Sequence, residues 1–279
     1  MNIPIRIAMG QMLVESGKKE ENLFRAVRMI KEAGRNDCNF IVLPECLDLG
    51  WTFPGTAEMT ESIPGKSSDI LCAGAADASI YVVAGLSEKD GDRVYNSALL
   101  ISPEGHILAK HRKINILDIA RNIYSIGNIM TVTETEFGKI GMDICSDNFP
   151  AAFAIGHTLA RMGADIILSP ASWAVKPENN ESNPCKMWER SYTSLASNFA
   201  IPVIGVSNIG IIAAGVWKDH RCIGNSLAVS PEGRIIAKGD LTYTVESITY
   251  TTMTINTNRP MGTDISPELV KRGFTLPMN

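Results

Sequence analysis

At 279 residues the chain is long enough for one large domain or two ordinary ones, and 45 % hydrophobic against 20 % charged residues supply a sizeable core and argue against disorder. A formal net charge of −4, with no basic block, argues against a nucleic-acid or anionic-membrane surface. No segment reaches the ~18 uninterrupted apolar residues of a membrane span and the first 12 residues carry no signal-type run, so a soluble, cytoplasmic protein is expected.

In chain order, "PIRIAMGQM" (4–12) predicts a strand. "KEENLFRAVRMIKEAG" (19–34) has apolar residues at 23, 24, 27, 29 and 30, a helical stripe that Gly34 ends. "NFIVLPE" (39–45) reads as a buried strand stopped by proline; a helix over about 67–78 leads into the buried strand "SIYVVAGLS". Later come "KIGMDIC", a helix over about 150–162, the strand "ADIILSP", a helix over about 185–199 and the strand "IPVIGVSN". Strand–helix–strand units of this kind predict an α/β fold with helices covering sheet faces.

A weak internal repeat separates these units. "YNSALLISPEGHILAKHRK" (95–113) is similar to "IGNSLAVSPEGRIIAKGD" (223–240), and in each an apolar strand meets a Ser-Pro-Glu-Gly turn and a second strand returns. Two hairpins added to parallel-type units predict two mixed sheets, packed face to face with helices outside. No Pro/Ser/Gly-rich linker divides the chain, which predicts a single domain, with a tail after about Glu246 reaching outward to contact another subunit.

The six cysteines form no CxxC pair and no zinc-like grouping with the four histidines. Cys145 is set apart by position, at the lip of an apolar strand before Ser-Asp-Asn. Glu45 closes "FIVLPE" and Lys113 closes "HILAKHRK" in the same manner. Their chemistry is complementary. A thiol is mostly protonated at neutral pH and needs a base, which Glu45 offers, and a cation for the thiolate and oxyanion, which Lys113 offers. Backbone N–H groups just after Cys145 are candidates for the remaining oxyanion donors.

These residues lie in stretches that resemble the nitrilase or carbon–nitrogen hydrolase superfamily. "VLPECLDLGW" is similar to its glutamate motif, "HRKINILD" to its lysine motif and "GMDICSDNFP" to its cysteine motif. "GADIILSPASW", "ASNFAIPVIGVSNIG" and "GNSLAVSPEG" follow in the family's order, so the resemblance runs from about residue 4 to residue 240. It implies a four-layer α-β-β-α sandwich and hydrolysis of an amide, carbamoyl or nitrile C–N bond in a small molecule through a thioester. It implies Glu45 as general base, Lys113 as oxyanion stabiliser and Cys145 as nucleophile, without metal or organic cofactor. It also implies a homodimer, for which the helices near 150–162 and 185–199 are the expected contacts.

The chain departs from the family pattern in places. Ser146 follows the cysteine where an aromatic residue is usual, and Asn148 and Ala151 stand where Arg and Glu are usual. Between the lysine motif and Gly127 the family carries a second glutamate; "ARNIYSIG" (120–127) has none. The expectation is that Asp118 does not replace it, that Lys113 is held by Glu45 alone with its pKa lowered towards partial neutrality, and that either turnover is slow or a polar group of the substrate fills the vacant place. Two alternatives are an acyl- or amidotransfer enzyme using the same thioester and a non-catalytic binding scaffold. Ser146, Asp147 and Trp173 are the candidate substrate-binding residues, with "AVKPENNESNPCKMW" (174–188) a candidate lid.

Overall fold

In the computed structural model, the structure describes residues 1–179, 181 and 183–259. Two six-stranded sheets carry the fold. In the first, the strands lie in the order Ser247–Asn256, Asn2–Gln11, Phe40–Val42, Tyr81–Asp90, Arg93–Ile101 and Ile107–Arg112. In the second the order is Ile235–Lys238, Leu227–Val229, Val203–Ser207, Ile166–Ala171, Gly138–Met142 and Val132–Thr135. Each has three parallel strands at its centre and an antiparallel hairpin at one edge. Those hairpins are the two halves of the sequence repeat, so the repeat marks one sheet plan used twice.

The apolar runs are continuous because both faces of each central strand are covered. In the first sheet Phe40, Val42, Tyr81 and Val83 face the second sheet, whereas Ile41, Leu43, Val82 and Ala84 pack under the helices Lys19–Arg35 and Lys66–Ala78. On the second sheet, Ala154–Arg161 and Lys186–Phe199 cover the outer face, with Leu159, Trp188 and Tyr192 buried in the same core. The layers therefore run helix, sheet, sheet, helix, a four-layer sandwich.

The structure departs from the expected elements in four places. The 19–34 stripe turns by one position: Ala26 and Ala33 join Leu23, Met29 and Ile30 inside, while Phe24 is 71 % exposed. The helix expected over 150–162 is a single tight turn, Pro150–Ala152, followed by Ala154–Arg161. Residues 247–256 do not reach outward, because they pair antiparallel with the first strand along its whole length, Asn2 opposite Asn256 to Gln11 opposite Ser247. The rest of the expected tail, from 260 onward, lies outside the described residues. A small third sheet, Ala174–Val175, Arg221–Ile223 and Ile209–Ile211, sits beside the two large ones. No helix among the described residues is long and apolar enough to cross a membrane.

Candidate active site

Strand Phe40–Val42 ends into Pro44, whose ring leaves no N–H for the ladder, and the chain turns out between the sheets. Glu45 N then donates to Ala171 O of the second sheet at 3.2 Å, and Cys46 takes a left-handed φ of +45°. Gly85 permits this path: a Cβ there would lie 2.6 Å from Glu45 Cα. Lys113 follows the last residue of strand Ile107–Arg112; its N–H donates to Asn96 O at 2.8 Å and its carbonyl accepts from Gly127 N at 2.8 Å. Both side chains are buried, and Lys113 Nζ meets Glu45 Oε1 at 2.6 Å. Asn96 Nδ2 donates to that same oxygen at 2.6 Å, and by distance and angle Glu45 Oε2 has no hydrogen-bond partner among the described residues.

Cys145 lies three residues past strand Gly138–Met142, at φ +47° and at the start of a 3₁₀ turn, Cys145–Asn148. A non-glycine residue in this region is strained and persists only where its surroundings fix it. Here the fixing residue is Asp147. Its Oδ1 accepts from Asn115 N at 2.7 Å and Ile114 N at 3.1 Å; its Oδ2 accepts from Ile144 N at 3.0 Å and His111 Nε2 at 2.9 Å. One carboxylate thus sews the cysteine loop to the lysine loop.

Burial pushes the Cys145 thiol up, the Glu45 charge pushes it further, and the Lys113 ammonium and a hydrogen bond from the Ser172 backbone only partly offset this. The resting sulfur is therefore a thiol. Lys113 goes the other way from expectation. Desolvation works to lower its pKa, but the Glu45 charge, with smaller help from Asp147, outweighs it, and the group stays above its ordinary value as a full ammonium.

Lys113 and Cys145 open into a cavity of about 170 Å³. Trp51 and Trp217 meet edge to face at 5.0 Å, as do Phe149 and Trp173 at 5.7 Å, and all four rings line it. Leu117, Ala174 and Met187 complete the apolar wall, and Ser172 is the remaining polar contact. Of the three substrate-binding candidates, Trp173 reaches this cavity, and Ser146 and Asp147 do not. Ser146 Oγ donates to Asn115 O at 2.7 Å and its carbonyl accepts from Asn115 Nδ2 at 2.6 Å, so both residues face the lysine loop rather than the opening. Sequence reasoning missed Asn96, Trp51, Leu117 and Trp217. Asn96 left one signal, a polar residue inside the apolar strand "VYNSALLI".

A family model described as carbon–nitrogen hydrolase matches residues 6–261. The chain belongs to the carbon–nitrogen hydrolase family. It is 32 % identical over 239 residues to a nitrilase of Pyrococcus abyssi, covering 84 % of each chain. It is 30 % identical over 256 residues to the omega-amidase NIT2 of Xenopus tropicalis, covering 87 % of each. Among solved structures, a carbon–nitrogen hydrolase of Helicobacter pylori G27 superposes with a TM-score of 0.79 at 20 % identity, over 90 % of this chain and 89 % of that one. Nit3 of Saccharomyces cerevisiae, a nitrilase-superfamily member, gives 0.76 at 24 % identity, over 96 % and 92 %.

Where the family pattern carries its second glutamate, this chain has a hydrophobic plug. Ala120 and Tyr124 are buried with Cys46, Trp51 and Ile116, and Tyr124 Oη spends its polarity on Cys46 Sγ at 3.5 Å. Asp118 does not reach in; it is 87 % exposed and pairs at 3.1 Å with Arg121, itself exposed.

Behind the cysteine loop lies a second buried polar cluster. Asn148 Nδ2 donates to Asp143 Oδ1 at 2.5 Å and to Ser169 Oγ at 3.1 Å, and Tyr192 Oη donates to Ser169 Oγ at 2.7 Å. Burial raises the Asp143 carboxyl to about 7; hydrogen bonds from Ser169 and Asn148 pull it down, and the Asp147 charge pushes it back up.

Proposed function

We propose that this chain hydrolyses a C–N bond of a small amide, carbamoyl or nitrile compound through a Cys145 thioester. The observation that carries the reading is the 2.6 Å Glu45–Lys113 ion pair, buried beside a cysteine that opens into the same cavity as the lysine. For an amide, Glu45 takes the thiol proton as the sulfur attacks the carbonyl carbon. Lys113 donates to the oxygen as it becomes negative, with backbone N–H groups of the turn at Cys145 as further donors. The C–N bond then breaks, Glu45 returns the proton to nitrogen, and ammonia leaves a thioester on the enzyme. Water, deprotonated by Glu45, attacks the thioester; the acid leaves and the thiol is restored. A raised thiol pKa suits this sequence, because the thiolate forms only when a carbonyl carbon is there to take it.

The experiment is ammonia release across a panel of amides, carbamoyl compounds and nitriles, with Cys145→Ala as control. Cysteine-dependent release is expected. Release that persists in the variant removes the nucleophile assignment, and products joined to an added amine in place of free acid redirect the reading to transfer.

A further inference from the structure

The walls of the cavity say what kind of acyl group fits. Four aromatic rings, Trp51, Phe149, Trp173 and Trp217, surround it, and Leu117 and Met187 stand at its more exposed side. Among the described residues its lining contains no arginine, no histidine and no carboxylate. Lys113 is the one cation there among the described residues, and its charge is already met by Glu45 at 2.6 Å. The plug built from Ala120, Tyr124 and Ile116 keeps the adjoining wall apolar as well, through Trp51 and Leu117.

We infer that the substrate is a small uncharged molecule, an amide or nitrile with an apolar acyl group of roughly six to eight non-hydrogen atoms, and not the amide of a dicarboxylic acid; a cavity of ~150 Å³ accommodates one benzene ring. This rests on the hydrolase reading above. A carboxylate on the acyl chain would be desolvated against indole and isopropyl groups with no counter-charge. An apolar chain gains instead, by about fourfold in affinity per buried methylene, until the cavity is full.

Succinamate and 4-methylpentanamide test this directly, since they share a shape and differ in charge. 4-Methylpentanamide should be preferred by about 10²-fold or more in kcat/KM. Equal or faster ammonia release from succinamate overturns the inference while leaving the hydrolase reading in place. Leu117→Arg, which puts a cation into the wall, should shift that ratio towards succinamate by about tenfold or more; an unchanged ratio in a folded variant counts against the pocket assignment.

A second measurement needs no turnover. Cys145 alkylation by iodoacetamide and by iodoacetate, followed by peptide mapping, is compared with the same pair on glutathione. Cys145 should favour the neutral reagent by about tenfold more than glutathione does. Iodoacetate labelling that matches or exceeds the glutathione ratio overturns the inference. If no panel compound releases ammonia, the hydrolase reading fails, and the alkylation ratio still decides the charge preference of the pocket.

Discussion

Two buried polar clusters flank the cysteine loop and solve the same problem in different ways. In front, Lys113 and Asn96 both donate to Glu45, and a carboxylate meets an ammonium. Behind, Asp143 meets the Asn148 amide and the Ser169 hydroxyl, with no cation among the described residues in hydrogen-bonding contact. The outcome differs accordingly. Lys113 keeps its charge despite complete burial, whereas burial lifts Asp143 to about 7. Neutral hydrogen-bond donors offset only part of the cost of a buried charge; an opposite charge offsets much more. The front cluster can therefore serve electrostatics at all working pH values, and the rear one holds a proton that neutral pH can remove.

The largest effect comes from breaking the front. Cys145→Ala should lower ammonia release by about 10⁴-fold or more with little loss of stability, because the new side chain leaves no polar group stranded. Lys113→Met should be nearly as inactive and also destabilise the fold by about 3–5 kcal/mol in urea denaturation, because Glu45 is then a buried carboxylate without its partner. Near-normal stability of Lys113→Met would show that the pair is not as closed to water as its burial implies.

The rear cluster should respond to pH where the front does not. Asp143 has a folded value of about 7, above the ~3.9 of an unfolded aspartate. A carboxyl raised on folding binds its proton more tightly in the folded chain. Its stabilising contribution is thus fully present below about pH 4 and is lost as pH rises through about 7. The span is at most on the order of 4 kcal/mol. In Asp143→Asn that loss should vanish, so the variant should gain stability relative to the parent between pH 5 and pH 8. Denaturation midpoints at those two pH values decide it, and parallel pH curves for parent and variant would refute the rear-cluster assignment.

The front cluster is more legible in the sequence than the rear one, for a physical reason. Glu45, Lys113 and Cys145 each stand where an apolar run stops, and a polar residue at a strand end is visible against its neighbours. The α/β sandwich is legible for the same reason, because strands buried on both faces give unbroken apolar runs. Asn96 is hidden by being inside such a run, and its role depends on a glutamate from another strand. Ser146 and Asp147 are visible as turn residues, but which way a turn points is set by the lysine loop it packs against. Strand Val132–Thr135 and the third sheet escape notice because edge strands of two to four residues, with mixed polarity, carry no readable period. The Lys113 expectation erred by counting missing carboxylates and not the strength of the one that remains.

The smallest effect should come from Tyr192→Phe, which sharpens the comparison by touching the rear cluster without removing its charge. The tyrosine ring packs against Trp188 at 4.6 Å and is wholly buried, so the phenyl ring keeps the packing. What goes is the hydrogen bond from Oη to Ser169 Oγ at 2.7 Å, with the longer one that Oη accepts from Asn148 Nδ2 at 3.4 Å. Ser169 Oγ still accepts from Asn148 Nδ2 at 3.1 Å, so no acceptor is left wholly unpaired. A loss of about 1 kcal/mol is expected, the ordinary worth of one neutral hydrogen bond. Asp143 keeps its direct bond to Asn148, so the pH curve of Tyr192→Phe should run parallel to that of the parent, offset downward. A changed slope between pH 5 and pH 8 would mean that the tyrosine hydroxyl sets the Asp143 proton affinity through Ser169, and the cluster would have to be treated as one titrating unit.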